Sequence, residues 1–134
     1  MSKFSIKLQD KVRCKITHQL SGTEILTDLA PEYGGKGRSF SSTDLIAVAL
    51  GSCILSTIDK VMERAGYDPK QIEVITTKTY TENKTMIKRI SLEIFHPEKL
   101  GGVVLKKLER AIATCPVKRT LNEQVEIDIV YSSS

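Results

Sequence analysis

Between Leu45 and Leu55 the chain reads Leu-Ile-Ala-Val-Ala-Leu-Gly-Ser-Cys-Ile-Leu, and this run constrains the fold more than any other stretch. Just before it, Ser41 followed three residues later by Asp44 approximates a capping box, in which each side chain bonds the other residue's backbone N–H. Together they predict a helix over about residues 43–65, with Gly66 as its C-terminal cap. A surface helix carries one apolar stripe. This one is apolar nearly all round until charges begin at Asp59, which is how a central, buried helix reads. The rest of the chain must be arranged to cover it, and one small sheet is too little to cover every side.

Sheet-forming segments flank the helix. Phe4–Leu8 and Val12–Thr17 alternate polar and apolar residues about a turn at Gln9-Asp10-Lys11, and a short strand, Glu24–Thr27, follows. The loop from Asp28 to Phe40 carries Pro31, Gly34, Gly35 and Gly37; loops this long and glycine-rich are usually functional or mobile. Beyond the helix come two longer strands, Gln71–Tyr80 and Thr85–Phe95, joined at Glu82-Asn83-Lys84. Pro97 is read as opening a second helix over about 97–113, with Leu100, Val104, Leu108 and Ile112 at helical spacing. A short third helix runs from Pro116 to near Asn122, and Val125–Tyr131 alternates as a last strand. This order predicts one α+β domain over residues 1–134 with mainly antiparallel sheets.

Composition narrows the function classes. The net charge of +4 is mild and spread along the chain, aromatics are 5% and Trp is absent, so no basic stripe or stacking platform for nucleic acid is visible. No run approaches the roughly 18 or more apolar residues needed to span a bilayer, so no membrane association is expected. Met1-Ser2-Lys3-Phe4-Ser5-Ile6-Lys7 lacks the apolar core of a signal peptide, and a cytoplasmic location is the expectation. In that compartment thiol pairs tend to be catalytic or redox-sensing.

Three cysteines are present. In Thr114-Cys115-Pro116-Val117, Pro116 suits the first helical position, which makes Cys115 the N-cap. Its sulfur would face unpaired N–H groups and the positive end of the helix dipole, so it is expected to be more acidic than a free cysteine at about 8.5. Cys53 lies in the middle of the apolar helix, where it reads equally as a small buried hydrophobe. Cys14 sits on an alternating strand and reads as packing. His18 and His96 are isolated, no Cys or His stands at metal-ligand spacing, and no metal or cofactor is expected. Gly34-Gly35-Lys36-Gly37 lacks the strand-to-helix context of a phosphate loop, so mobility or close backbone approach to the active site is the expected use.

Three blocks carry a resemblance: Gly34-Gly35-Lys36-Gly37 with Ser41-Ser42-Thr43-Asp44-Leu45; Ala49-Leu50-Gly51-Ser52-Cys53; and Cys115-Pro116-Val117 with Leu121. In order and spacing they resemble the OsmC/Ohr family, named for osmotically inducible protein C and organic hydroperoxide resistance protein, over essentially the whole chain. The resemblance implies an intertwined homodimer with each central helix buried against the partner. It also implies thiol-dependent reduction of organic hydroperoxides, with Cys53 as the attacking cysteine and Cys115 as the resolving one. Branches of the family lower the first cysteine's pKa with an Arg–Glu pair, whose glutamate falls at Thr43 here; the adjacent Asp44 matches the OsmC-like branch. For the arginine, Arg38 is the first candidate and Arg13 the second.

The resulting expectation is a peroxidase in which the Cys53 thiolate is oxidised to a sulfenic acid and condenses with Cys115 to a disulfide. An external dithiol then reduces that disulfide. Arg38 would stabilise the thiolate, oriented by Asp44 or Thr43, and apolar neighbours such as Leu50 and Ile54 would favour small organic hydroperoxides. The alternative is a non-enzymatic or weakly active stress-related binding dimer with structural cysteines.

Overall fold

A computed structural model of the chain describes every residue except Asn122 and Ser134. The long helix α1 spans Ser42–Arg64. Its start is the capping box read from sequence: Ser41 N–H donates to Asp44 Oδ2 at 2.8 Å, and Asp44 N–H donates to Ser41 Oγ at 3.0 Å. Gly66 ends it at a φ of 90° that favours glycine.

The chain divides into two compact units, Met1–Ile46 and Ala47–Ser134. The first holds β1 (Phe4–Asp10), β2 (Arg13–His18) and β3 (Glu24–Leu26), an antiparallel sheet in that order. The hairpin turns one residue later than predicted, at Lys11-Val12, with Val12 at a φ of 55°. Pairing sets Phe4, Ile6 and Leu8 opposite His18, Ile16 and Cys14, and Ile16 opposite Ile25. One face of the sheet is therefore largely apolar, yet within this chain Phe4, Ile6 and Leu8 stay 58%, 60% and 75% exposed. The following loop folds back on itself, and a Cβ at Gly35 would strike the Leu29 carbonyl. The close approach expected of the glycine block is thus made to Leu29.

In the second unit, α1 continues against β4 (Glu73–Tyr80), β5 (Ile87–His96) and β6 (Glu126–Ser133), in the order β4-β5-β6. Helix α2 (Gly102–Ile112) and the single turn α3 (Pro116–Thr120) connect β5 to β6. Ala47, Leu50, Gly51, Ile54, Ile58 and Met62 form the buried stripe of α1. With Ile90, Leu92 and Ile94 of β5 and Leu108 and Ile112 of α2, these residues build one core. Gly51 sets the approach of helix to sheet, because a Cβ there would lie 2.8 Å from Thr76 Cγ2 on β4.

Four points refine the sequence expectations. First, the sheets are mainly antiparallel as expected, three of the four strand pairs being so, and β5 with β6 is the parallel exception; parallel neighbours need a crossover, which α2 and α3 supply. Second, α2 begins at Gly102 with Gly101 as N-cap, not at Pro97. The intervening chain leaves β5 in a turn held by the buried His96, whose Nδ1 lies 3.1 Å from Glu98 N. Third, α3 ends at Thr120, and its expected end near Asn122 lies outside the described residues. Fourth, α1 is long and apolar enough by length and mean hydropathy to cross a membrane. Its close packing on β4 and β5 is that of a core helix. Only one stripe of α1 is buried by its own chain, and Ile46 and Val48 remain 41% and 42% exposed.

Candidate active site

Cys53 sits on α1 one residue before the core position Ile54, which leaves its side chain half-buried at the edge of the stripe. Cys115 is the N-cap of α3, as the Cys-Pro pair predicted, and is fully buried. The two elements bring the sulfurs 2.8 Å apart, with Cys115 Sγ donating to Cys53 Sγ. Both thiols are free. A disulfide bond is about 2.05 Å long, so a closing movement of under about 1 Å would join them.

The environment shifts the two thiols in opposite directions. Burial pushes the Cys53 thiol up, but the Cys115 S–H, the Val117 N–H and the Thr57 hydroxyl together outweigh it, and the net shift is downward. Thr57 lies one turn along α1, and its hydroxyl also donates to the Cys53 carbonyl at 2.7 Å. For Cys115 burial is again the largest influence, and the hydrogen bond to Cys53 adds to it; the Lys118 N–H, 3.5 Å away, pulls the other way without prevailing. Cys115 is therefore raised. This corrects the expectation from the helix dipole that Cys115 is the more acidic thiol. The N-cap geometry is present, but α3 is one turn long, the sulfur is cut off from water, and the thiolate next to it repels a second negative charge. One N–H of the α3 N-terminus serves Cys53 as well.

The remaining candidates lie in the N-terminal unit. Arg38 donates from its backbone N and its Nε to Asp28 Oδ2, at 3.0 and 2.7 Å, and from Nη2 to Oδ1 at 3.3 Å. Asp28 is buried, and the Arg38 guanidinium holds its carboxyl far below the usual carboxylate range. The carboxylate that orients Arg38 is thus Asp28, which sequence reasoning passed over as a loop residue, whereas Asp44 caps α1. Arg13 on β2 has a buried Nε without a hydrogen-bond partner among the described residues. Cys14 is half-buried, with its backbone N–H 3.3 Å from Thr27 Oγ1. Among the described residues no group of three or more metal-binding side chains occurs.

The profile of the family described as OsmC-like protein matches residues 35–130, which include both cysteines of the pair. No curated protein sequence matches. Among solved structures, a Psychrobacter arcticus protein described as an osmotic stress induced and detoxification response protein is 25% identical. It aligns over 98% of this chain and 96% of its own with a TM-score of 0.89. An OsmC-like protein from Mycoplasma pneumoniae, 16% identical, aligns over 99% and 96% with a TM-score of 0.79. The organic hydroperoxide resistance protein OsmC of Legionella pneumophila, 13% identical, aligns over 98% and 96% with a TM-score of 0.75.

Proposed function

The chain belongs to the OsmC-like protein family, and on that footing we propose that it is a thiol-dependent peroxidase acting on small organic hydroperoxides in defence against oxidative stress. The observation that carries this reading is the sulfur pair itself: a half-buried Cys53 lowered in pKa, 2.8 Å from a buried Cys115 that holds the proton. The arrangement suits attack by Cys53 on the peroxide, giving a sulfenic acid, followed by condensation with Cys115 to a disulfide. An external dithiol then restores the pair by exchange. Leu50 and Ile54, on either side of Cys53, are fully buried in the core, so they make its surroundings apolar without touching a substrate. The hydroperoxide-resistance description of the Legionella structure points the same way.

The working form is a homodimer. The apolar face of the β1–β3 sheet and the outer side of α1, with Ile46 and Val48, are uncovered by their own chain; uncovered apolar surface of this kind marks an interaction site. Arg38, anchored to Asp28, is the first candidate for activating Cys53, followed by Arg13, whose buried Nε has no hydrogen-bond partner among the described residues, or an arginine contributed by a partner chain. The test is titration of free thiols before and after one equivalent of cumene hydroperoxide. Loss of two thiols per chain is expected, with Cys53→Ser abolishing peroxide consumption and Cys115→Ser leaving a dimedone-reactive Cys53. Retention of every thiol would leave the protein a stress-related binding dimer with structural cysteines.

A further inference from the structure

Within one turnover of the proposed reaction Cys115 has to play two incompatible parts. In the resting pair it holds a proton, donated to Cys53 Sγ at 2.8 Å. To close the disulfide it must attack as a thiolate, because the thiol is not the nucleophile. Cys115 is fully buried, so losing that proton to bulk water would leave an ion where ions are least favoured. Attack of Cys53 on a hydroperoxide meanwhile releases an alkoxide, a far stronger base than a thiolate, beside the same two sulfurs. Among the described residues, the side chains whose hydrogen bonds lower the Cys53 thiol are the Cys115 thiol, 2.8 Å away, and the Thr57 hydroxyl. The hydroxyl is the weaker acid of the two and already bonds the Cys53 carbonyl at 2.7 Å.

The geometry points to Cys115 as the general acid of the first step, handing its S–H proton to the departing alkoxide before it serves as the resolving nucleophile. This rests on the proposed attack by Cys53. The Cys53 thiolate attacks the hydroxyl-bearing oxygen of R–O–OH; an S–O bond forms as the O–O bond breaks, the sulfur is oxidised and the peroxide reduced. The departing RO⁻ takes the Cys115 proton, giving ROH and a Cys115 thiolate. That thiolate attacks the sulfur of Cys53–S–OH, the S–S bond forms, and hydroxide leaves to be protonated by solvent. One proton transfer thus satisfies the leaving group and arms the second nucleophile, and Cys115 ionises only once Cys53 is no longer an anion.

The experiment separates proton donation from mere activation of Cys53. Single-turnover oxidation of Cys53 is measured in the wild type and in Cys115→Ala with two oxidants, and each rate is divided by the Cys53 thiolate fraction found from ultraviolet thiolate absorbance. Cumene hydroperoxide expels an alkoxide and needs an acid. Peracetic acid expels a carboxylate, a weak base whose conjugate acid has a pKa near about 4, and needs none. With cumene hydroperoxide the corrected rate for Cys115→Ala is expected to fall about a hundredfold or more, the usual scale of general acid catalysis. With peracetic acid it should stay within a few-fold of the wild type, which also reports that the variant retains its fold. Equal losses with both oxidants, or no loss with either, would overturn the proton-donor role. If wild-type Cys53 reacts with neither oxidant, the peroxidase reading itself fails, an outcome distinct from a variant that matches a reactive wild type.

Discussion

Gly51→Ala tests whether the seat of α1 on β4 positions Cys53, two residues along the same helix. An added Cβ would meet Thr76 Cγ2 at 2.8 Å and Val74 Cγ1 at 3.6 Å. The first is too close for any real Cβ contact, while the second is ordinary packing. Because Thr76 is on a strand and β-branched, it has little rotamer freedom with which to yield, so the helix must move off the sheet. Overpacking of this size costs about 1–3 kcal/mol. Ala is better than Gly in a helix by about 1 kcal/mol, which leaves a net loss of up to about 2 kcal/mol and a fall of about 4 °C in Tm per kcal/mol lost. Thr76→Ser deletes the offending methyl, so in the double variant the helix gain is kept and the clash removed. Urea unfolding of the four proteins at one fixed concentration should give a favourable coupling of at least about 1 kcal/mol. Peroxide turnover should fall in Gly51→Ala and recover in the double variant, because a lifted α1 carries Cys53 away from Cys115. Strict additivity, or a Gly51→Ala protein more stable than the wild type by the full helix-propensity gain, would refute the tight seating of α1 and its role in bringing the thiols together.

Three further outcomes follow from the geometry. Thr57→Val removes a hydroxyl that helps hold the Cys53 pKa down; alkylation of Cys53 by iodoacetamide, followed against pH, should shift to higher pH and slow at neutrality, whereas Thr57→Ser should behave like the wild type. The Asp28 carboxyl has its folded pKa depressed by Arg38, so its contribution to stability is complete above an unfolded value of about 3.9 and is lost as pH falls from there toward the folded value. Asp28→Asn should therefore destabilise the protein at neutral pH and flatten its acid-unfolding limb, while an unchanged limb would place the acid sensitivity elsewhere. Sedimentation at micromolar concentration should give twice the 14.9 kDa chain mass, with Leu8→Lys or Val48→Lys weakening the association; a wild-type monomer would contradict the assignment of the uncovered apolar faces to a partner.

What could be read from the sequence was what local chemistry dictates. The capping box at Ser41 and Asp44 and the N-cap role of Cys115 are each fixed by residues within a turn of one another, and each appears in the structure; the helix read as apolar nearly all round is buried by its own chain along one stripe. The pairing of Cys53 with Cys115 spans 62 positions, and no periodicity encodes such a contact; an N-cap cysteine and a mid-helix cysteine in one small chain hinted at a dithiol, and the resemblance assigned the pair. The parallel register of β5 and β6 was hidden for a related reason, since an alternating strand looks the same in either direction. Pro97 misled because proline both opens helices and ends strands, and here the buried His96 before it decides for a turn. Asp28 gave no signal, being one polar residue of a loop until the fold carries Arg38 to it across ten positions. The order of the two thiol acidities is the most instructive reversal. The helix terminus at Cys115 is a local feature and is present, but the sulfur pair is ruled by which member lies deeper. Cys115 is closed to water and Cys53 only half so, which raises the pKa of the buried sulfur and leaves the more exposed one the more acidic of the two.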